Sequence, residues 1–377
     1  MINFWSYKKE YKKYGTSLLK KIHGSINSGQ IFFGKELIKF EKNFKKKYKS
    51  KYGIAVGSGT DALLISLKAI EIRSGDQVIT AANTAIPTIS AIINAGATPK
   101  LVDIGEDYLM DPCKIEKEIN SRTKAIIPVH LYGQSCDMEQ IMKIAKKNKI
   151  HVIEDCAQSQ GAKYKNKFVG TFGTFGCFSF YPTKILGAYG DGGFILTNDY
   201  KLHKKIKRIR FYGIETIDNK NKFKDQYYSN ENGINSRLDE IQASILNYKL
   251  KKVDYFVKRR KQIAEIYFRE LESTELTLPT ENANSSHVYH LYTVYHPKGL
   301  VIIRQLKKCK INVRVIYPYP VHKMKAYKKI PHNIKRLVNS EIKSKGIFCL
   351  PLYPELKDLE VKKICKNLKN ILKKNVI

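Results

Sequence analysis

Lys184 is the only lysine between Phe168 and Tyr200, in a chain that carries 68 lysines and arginines. Its flanks are aromatic and glycine-rich: Gly176-Cys-Phe-Ser-Phe-Tyr-Pro-Thr precedes it, and Ile185-Leu-Gly-Ala-Tyr-Gly-Asp-Gly-Gly193 follows. Apolar surroundings penalise an ammonium group and leave a neutral amine able to attack an aldehyde. An isolated lysine on a turn is more often a snorkelling side chain, but these neighbours reverse that expectation. Upstream, Ile150-His-Val-Ile-Glu-Asp-Cys-Ala-Gln158 puts Asp155 just past a strand end, where open α/β sheets bind their ligands. A carboxylate there can hold a pyridine nitrogen protonated, and Gln158 can donate to an oxygen on the same ring. Taken alone, Asp155 reads equally well as a helix cap.

A third element is Gly57-Ser-Gly-Thr-Asp-Ala-Leu-Leu64, a glycine turn opening an apolar helix. The unpaired amides of a helix start suit a phosphate, and the Thr60 hydroxyl adds a donor. No Gly-Lys-Ser/Thr follows, and the spacing is not that of a dinucleotide fingerprint. Ser179 offers a second hydroxyl, or is simply a buried serine satisfied by backbone.

These residues need a scaffold, and the pattern around them supplies one. From about Tyr52 to Leu196, short β-branched runs alternate with amphipathic helices, the signature of a largely parallel sheet flanked by helices. The segment Lys124 to His130 reads as a strand, Asp137 caps a helix, and Ile150 to Ile153 is the next strand. Ser58 to Ile70 reads as a helix, and Pro99 to Ile104 and Phe194 to Thr197 as strands. A long helix is expected from Ser236 through Leu271, with the domain change inside it. We therefore expect a large α/β domain over 1–248 and a smaller C-terminal α+β domain over 249–377. The latter would hold strands at Val288 to Tyr295 and Asn312 to Ile316, a helix from Leu300 to Lys308, and a last helix from about Leu359. Asp218 to Asp225 reads as an exposed loop.

Composition narrows the function classes. A chain of 377 residues, 43% hydrophobic, can bury a sizeable core. The formal net charge of +34 would attract polyanions, yet the lysines are spread along the chain and interrupted by apolar residues at helical spacing. Neither a nucleic-acid nor a membrane partner is expected. Seven scattered cysteines, none in a C-x-x-C pair, argue against a disulfide framework and a metal site and fit the cytoplasm. The start lacks the apolar core of a signal peptide. Val78 to Ala97 carries too many polar residues for a membrane span and reads as strand, loop and helix.

Phosphate cradle, strand-end aspartate and pocket lysine, in that order, resemble the DegT/StrS sugar aminotransferases, fold type I enzymes that use pyridoxal 5'-phosphate. The matching motifs are Gly57 to Ala62, Glu154 to Gln158, Ser179 to Lys184 with Gly190 to Gly193, and Asn235-Ser-Arg-Leu-Asp-Glu-Ile-Gln-Ala243. Ser28 to Gly34, Tyr317-Pro-Tyr-Pro-Val-His322 and Leu350 to Pro354 extend the match over essentially the whole chain. The resemblance implies that Lys184 is the Schiff-base lysine, Asp155 the partner of the pyridine nitrogen and Gln158 a ligand of the phenolic oxygen. Gly59, Thr60 and Ser179 match phosphate contacts. Asn235 matches a residue reaching the phosphate of the neighbouring subunit, which implies a homodimer with shared active sites. Arg237, Tyr317 and His322 match positions near a sugar nucleotide. The implied reaction is transamination of a nucleotide-linked keto sugar by L-glutamate, with a dTDP-linked 3-keto-6-deoxyhexose favoured and UDP- or GDP-linked 4-keto sugars as alternatives. The product would be an amino sugar of a surface polysaccharide such as lipopolysaccharide. Related dehydratases carry histidine in place of the lysine, and a non-catalytic DNA-binding regulator is the alternative of another class. One departure stands out: many members carry an aromatic where this chain has Ala85, so either Ala85 covers the ring edgewise or another side chain does.

Overall fold

The computed structural model describes residues 1–215, 228–328, 330 and 337–373. The Asp218 to Asp225 stretch lies outside the described residues. Largely buried runs of five residues form the main sheet: β1 (Tyr52–Val56), β2 (Gln77–Ala81), β3 (Thr98–Val102), β4 (Thr123–Ile127), β5 (His151–Asp155), β6 (Phe175–Ser179) and β7 (Gly193–Thr197). Their spatial order is β1-β7-β6-β5-β4-β2-β3. All neighbouring pairs are parallel except those made by β7, which runs antiparallel to β1 and β6. The sheet is thus mostly parallel but mixed, as the alternating pattern predicts. Strands with both faces covered must be apolar throughout, and the burial of β2, β6 and β7 at every position follows.

Several helices begin where a side chain accepts from their first amides. Ser58 accepts from Asp61 N at 3.0 Å ahead of Gly59–Ala69. Asp137 accepts from Gln140 N at 3.1 Å ahead of Met138–Lys147, closing the expected crossover between β4 and β5. The stretch read as one helix from Ser236 to Leu271 is two, Glu240–Leu250 and Val253–Leu271. The first is buried on nearly all sides against Tyr7–Asn27 and Lys35–Tyr48, whereas the second runs on to pack against Asp358–Lys373. Lys251 and Lys252 at the break are good helix formers, so local propensity carries no sign of the change in direction.

A second apolar cluster gathers Ile263, Tyr267 and Leu271 with Tyr292, Ile302, Phe348, Val361 and Leu368, and with Ile2 from the other end of the chain. It encloses the helix Gly299–Lys308 and an antiparallel pair, Tyr292–Tyr295 with Ile347–Leu350. The strand expected from Asn312 to Ile316 is reduced to one bridge, Arg314 with Cys349, and the strand from Val288 shortens to start at Tyr292. Among the described residues no helix is long and apolar enough to cross a membrane.

Candidate active site

Because β1, β5 and β6 point the same way, their carboxyl ends share one edge of the sheet, and Gly57, Asp155 and Ser179 fall there together. Gly193 stands opposite both Val56 and Ser179. A Cβ on Gly193 would lie 2.2 Å from the Ser58 carbonyl oxygen, and one on Gly59 would lie 2.6 Å from Ser179 Cβ. Glycine at these two positions lets the first turn of Gly59–Ala69 press against the end of β6. First-turn amides have no intrahelical acceptor, so this contact gathers the amides of Gly59 and Thr60 beside the Ser179 hydroxyl. The turn is braced by Ser236, whose Oγ accepts from Gly57 N at 2.8 Å and donates to Asp61 Oδ2 at 2.8 Å.

Asp155 is buried, its Oδ1 accepting from Ala157 N at 3.1 Å and its Oδ2 from Thr88 Oγ1 at 2.9 Å. Burial raises its carboxyl above the usual range, opposed by the Ala157 amide, the Thr88 hydroxyl and Lys184. Lys184 lies deep in protein with part of its side chain open to a cleft. Desolvation lowers its ammonium to about 8, against the pull of Asp155. The two groups are therefore coupled: each is pushed toward neutrality by burial and held toward charge by the other.

The cleft, of about 810 Å³, is lined by Lys184, Gln158 and Tyr317, and by Trp5, His290 and Arg314 among others. Gln158 Oε1 accepts from Tyr132 N at 2.9 Å, which fixes the amide so that Nε2 faces the cleft side and donates to Tyr317 Oη at 3.0 Å. One Nε2 hydrogen is left for a ligand. Burial pushes the Tyr317 hydroxyl well up, so it is neutral. The Gln158 donor and the Lys184 amine thus line one cavity, with the buried Asp155 carboxylate interacting with Lys184 and an anion cradle on the same sheet edge, a set that fits a phosphorylated pyridine aldehyde.

Other expected residues fall elsewhere. Asn235 is exposed, bridged through its backbone to Phe211. Arg237 stacks on Phe32 at 4.1 Å and lies outside the cleft lining. His322 is likewise outside it, with Nε2 at 3.0 Å from Glu341. Ala85 is half-buried at the start of the helix Ile86–Asn94. Sequence reading passed over Thr88, Ser236, His290 and Trp5. The i, i+4 spacing of Thr84 and Thr88 just beyond a strand was the one available signal; the others meet the site only through distant parts of the chain.

His130, Glu154 and Cys156 lie close together, but the cluster is a satisfied hydrogen-bond knot. His130 Nδ1 accepts from Cys136 N at 3.0 Å, so Nε2 carries the proton toward Glu154 Oε2 at 3.1 Å. Glu154 also accepts from the amides of Gly170, Phe172 and Gly173. No imidazole lone pair remains for an ion.

Comparison with known proteins agrees with this geometry. Residues 13–369 match the model of the DegT/DnrJ/EryC1/StrS aminotransferase family. The chain is 40% identical over 368 residues to a dTDP-3-amino-3,6-dideoxy-alpha-D-galactopyranose transaminase of Aneurinibacillus thermoaerophilus, covering 97% of this chain and 98% of that one. Its fold superposes on S. venezuelae DesV with a TM-score of 0.93 at 32% identity, covering 99% of both chains. NtdA of Bacillus subtilis, solved with bound cofactor PMP, matches with a TM-score of 0.86 at 29% identity, over 98% of this chain and 83% of its own. The chain belongs to the DegT/DnrJ/EryC1/StrS aminotransferase family and is a transferase that uses pyridoxal phosphate.

Proposed function

We propose that this aminotransferase moves the amino group of L-glutamate onto a nucleotide-linked keto sugar, with a dTDP-linked 3-keto-6-deoxyhexose as acceptor. The observation that carries the reading is the coupled pair Lys184 and Asp155 at a cleft beside a glycine-built anion cradle. The dTDP-sugar activity named for the Aneurinibacillus relative supports the choice of acceptor. The regulatory alternative is not favoured, since a DNA-binding surface has no need of a desolvated lysine facing a buried carboxylate.

When bound, the cofactor supplies an electron sink for the charge that develops at the substrate carbon. The chain's own residues do the rest. Lys184 Nζ, as the neutral amine, takes the proton from the α-carbon of glutamate, and as ammonium returns a proton to the sugar carbon that gains nitrogen. Asp155 keeps the ring nitrogen protonated, and Gln158 Nε2 donates to the ring oxygen. Gly59, Thr60 and Ser179 hold the phosphate. Tyr317 meets the sugar nucleotide, and Arg237 and His322 are assigned to the same substrate. Asn235, exposed in the single chain, reaches the phosphate of a second copy, so the working unit is a homodimer acting in the cytoplasm. The division between large and small domains is placed near 248, close to the helix break.

Incubating the cofactor-loaded protein with glutamate and a panel of dTDP-, UDP- and GDP-linked keto sugars, read by mass spectrometry, tests this reading. A gain of nitrogen on a dTDP-3-keto sugar supports it. Transfer to a UDP or GDP sugar alone replaces the acceptor, and no transfer to any member overturns the reading.

A further inference from the structure

The cleft over Lys184 is electrostatically one-sided. Its lining holds three lysine and arginine side chains, Lys184, Lys307 and Arg314, with a His290 that burial keeps neutral, and includes neither aspartate nor glutamate. Many cations elsewhere in the chain find carboxylates: Lys9 pairs with Glu360, Lys100 with Glu118, and Lys249 with Glu10. Lys307 and Arg314 have no ion pair or side-chain hydrogen bond among the described residues, although both stand at the rim of a cavity. Burial lowers the Lys184 ammonium to about 8, whereas Lys307 and Arg314 are exposed, so the permanent positive charge of the cleft sits on these two side chains.

The rim that carries them is fixed. Lys307 lies in the last turn of the helix Gly299–Lys308, and Arg314 follows a turn that the chain's own start clamps in place. Ile2 N donates to Lys310 O at 2.9 Å, Asn312 N donates to Ile2 O at 2.9 Å, and Asn312 Nδ2 donates to Asn3 Oδ1 at 3.2 Å. Arg314 is bound through its backbone to Cys349, with N···O distances of 3.3 and 2.7 Å in the two directions. The guanidinium thus projects from an anchored backbone while its own donors stay open. Three residues on, Tyr317 touches Gln158, and that stretch of chain spans at most about 11 Å. A substrate with its reacting carbon at Lys184 can therefore place an anionic end at the rim.

We infer that Lys307 and Arg314 form an anion subsite at the mouth of the cleft, which takes the diphosphate of the nucleotide-linked acceptor or the side-chain carboxylate of the amino donor. The inference rests on the aminotransferase reading above and names two residues that select its substrates. Charge-assisted hydrogen bonds from an anchored arginine and a lysine of the same cleft lining give affinity to phosphate and carboxylate oxygens alike. The two sources part in a binding experiment that needs no turnover.

Cofactor-loaded protein is titrated by calorimetry with dTDP, which has the diphosphate and no sugar, and separately with glutarate, which has the two carboxylates and no amine. The measurement is repeated on the double variant K307Q/R314Q and on K362Q/K363Q. The latter removes the same formal charge from exposed positions of the last helix and controls for the general field of the chain. One of the two probes is expected to bind the parent and to lose about tenfold or more in K307Q/R314Q, with K362Q/K363Q unchanged. Loss for dTDP assigns the subsite to the acceptor, and loss for glutarate assigns it to the donor. Equal binding to parent and K307Q/R314Q, equal loss in both double variants, or no binding of either probe to the parent overturns the inference. Failure of the broader reading is seen separately, because glutamate would then leave the cofactor's visible absorption unchanged in the parent itself.

Discussion

Thr88 Oγ1 lies 2.9 Å from Asp155 Oδ2 and 3.0 Å from Thr84 Oγ1. A hydroxyl has one proton, and an ionised carboxylate can only accept, so Thr88 spends its proton on Asp155 and Thr84 donates to Thr88. This short relay leads into the buried carboxylate that interacts with Lys184. Thr88→Val removes the donor while nearly preserving shape, so Asp155 should rise further toward its neutral form and transamination should fall about tenfold or more. The cost of an unmade hydrogen bond to a buried charged group is about 1–3 kcal/mol. Thr88→Ser should retain most activity. Equal rates for Val and Ser variants would show that the hydroxyl does not matter.

The state of Lys184 predicts a pH dependence. Its ammonium loses a proton near pH 8, below the ordinary lysine value of 10.5, because burial disfavours the charge. The neutral amine is the reactive form, so combination of apoprotein with the cofactor aldehyde should speed up as pH rises and level off above about 8. Asp155 acts in the opposite sense by stabilising the ammonium. Asp155→Asn should therefore move the midpoint to lower pH. Stopped-flow growth of the visible band across pH 6 to 10 reads both curves.

Gly59 and Gly193 are tested by their contacts. Gly59→Ala would set a methyl 2.6 Å from Ser179 Cβ, pushing the helix start off the end of β6. Cofactor affinity should drop about tenfold or more while the fold, read by circular dichroism, persists. Gly193→Ala meets a carbonyl oxygen at 2.2 Å inside the sheet and should lower thermal stability as well.

Glu154 stands next to Asp155 in sequence but points to the other side, where three amides and His130 satisfy it. Glu154→Gln should destabilise by about 3 kcal/mol, measured by urea denaturation, because at least one of those donors loses its acceptor. Chelators should leave activity unchanged. Inhibition by EDTA that added metal reverses would contradict the reading of this cluster as structural.

How far the sequence alone carries this picture depends on the range of each signal. Lys184 and Asp155 were legible because their peculiarities are local: a lysine-free apolar neighbourhood and a strand end. The sheet was legible for the same reason, as was the Asp137 cap. The break at Lys251 and Lys252 was not, since its cause is packing against helices far away in the chain. Asn312 to Ile316 has the alternation of a strand but pairs at Arg314 alone, its other backbone groups serving the N-terminal clamp and Tyr132. Thr88 is marked only by its i, i+4 spacing from Thr84 beyond a strand, and nothing near His290 in sequence marks a site. His290 becomes unusual only when folding buries it beside Lys184, which holds its imidazole neutral and leaves Nδ1 without a partner. Likewise, the first residues carry no chemical motif, yet Trp5 lines the cleft and stacks over Arg260 at 5.1 Å.

The central claim is that Lys184 is the amine that bonds to the cofactor. Borohydride reduction of the loaded protein, followed by proteolysis and mass spectrometry of the peptides, addresses it directly. We predict a phosphopyridoxyl mass on the peptide containing Lys184 and on no other lysine peptide, and none in Lys184→Ala, which should remain folded. The mark on a different lysine of the parent, or its persistence in Lys184→Ala, would contradict the account.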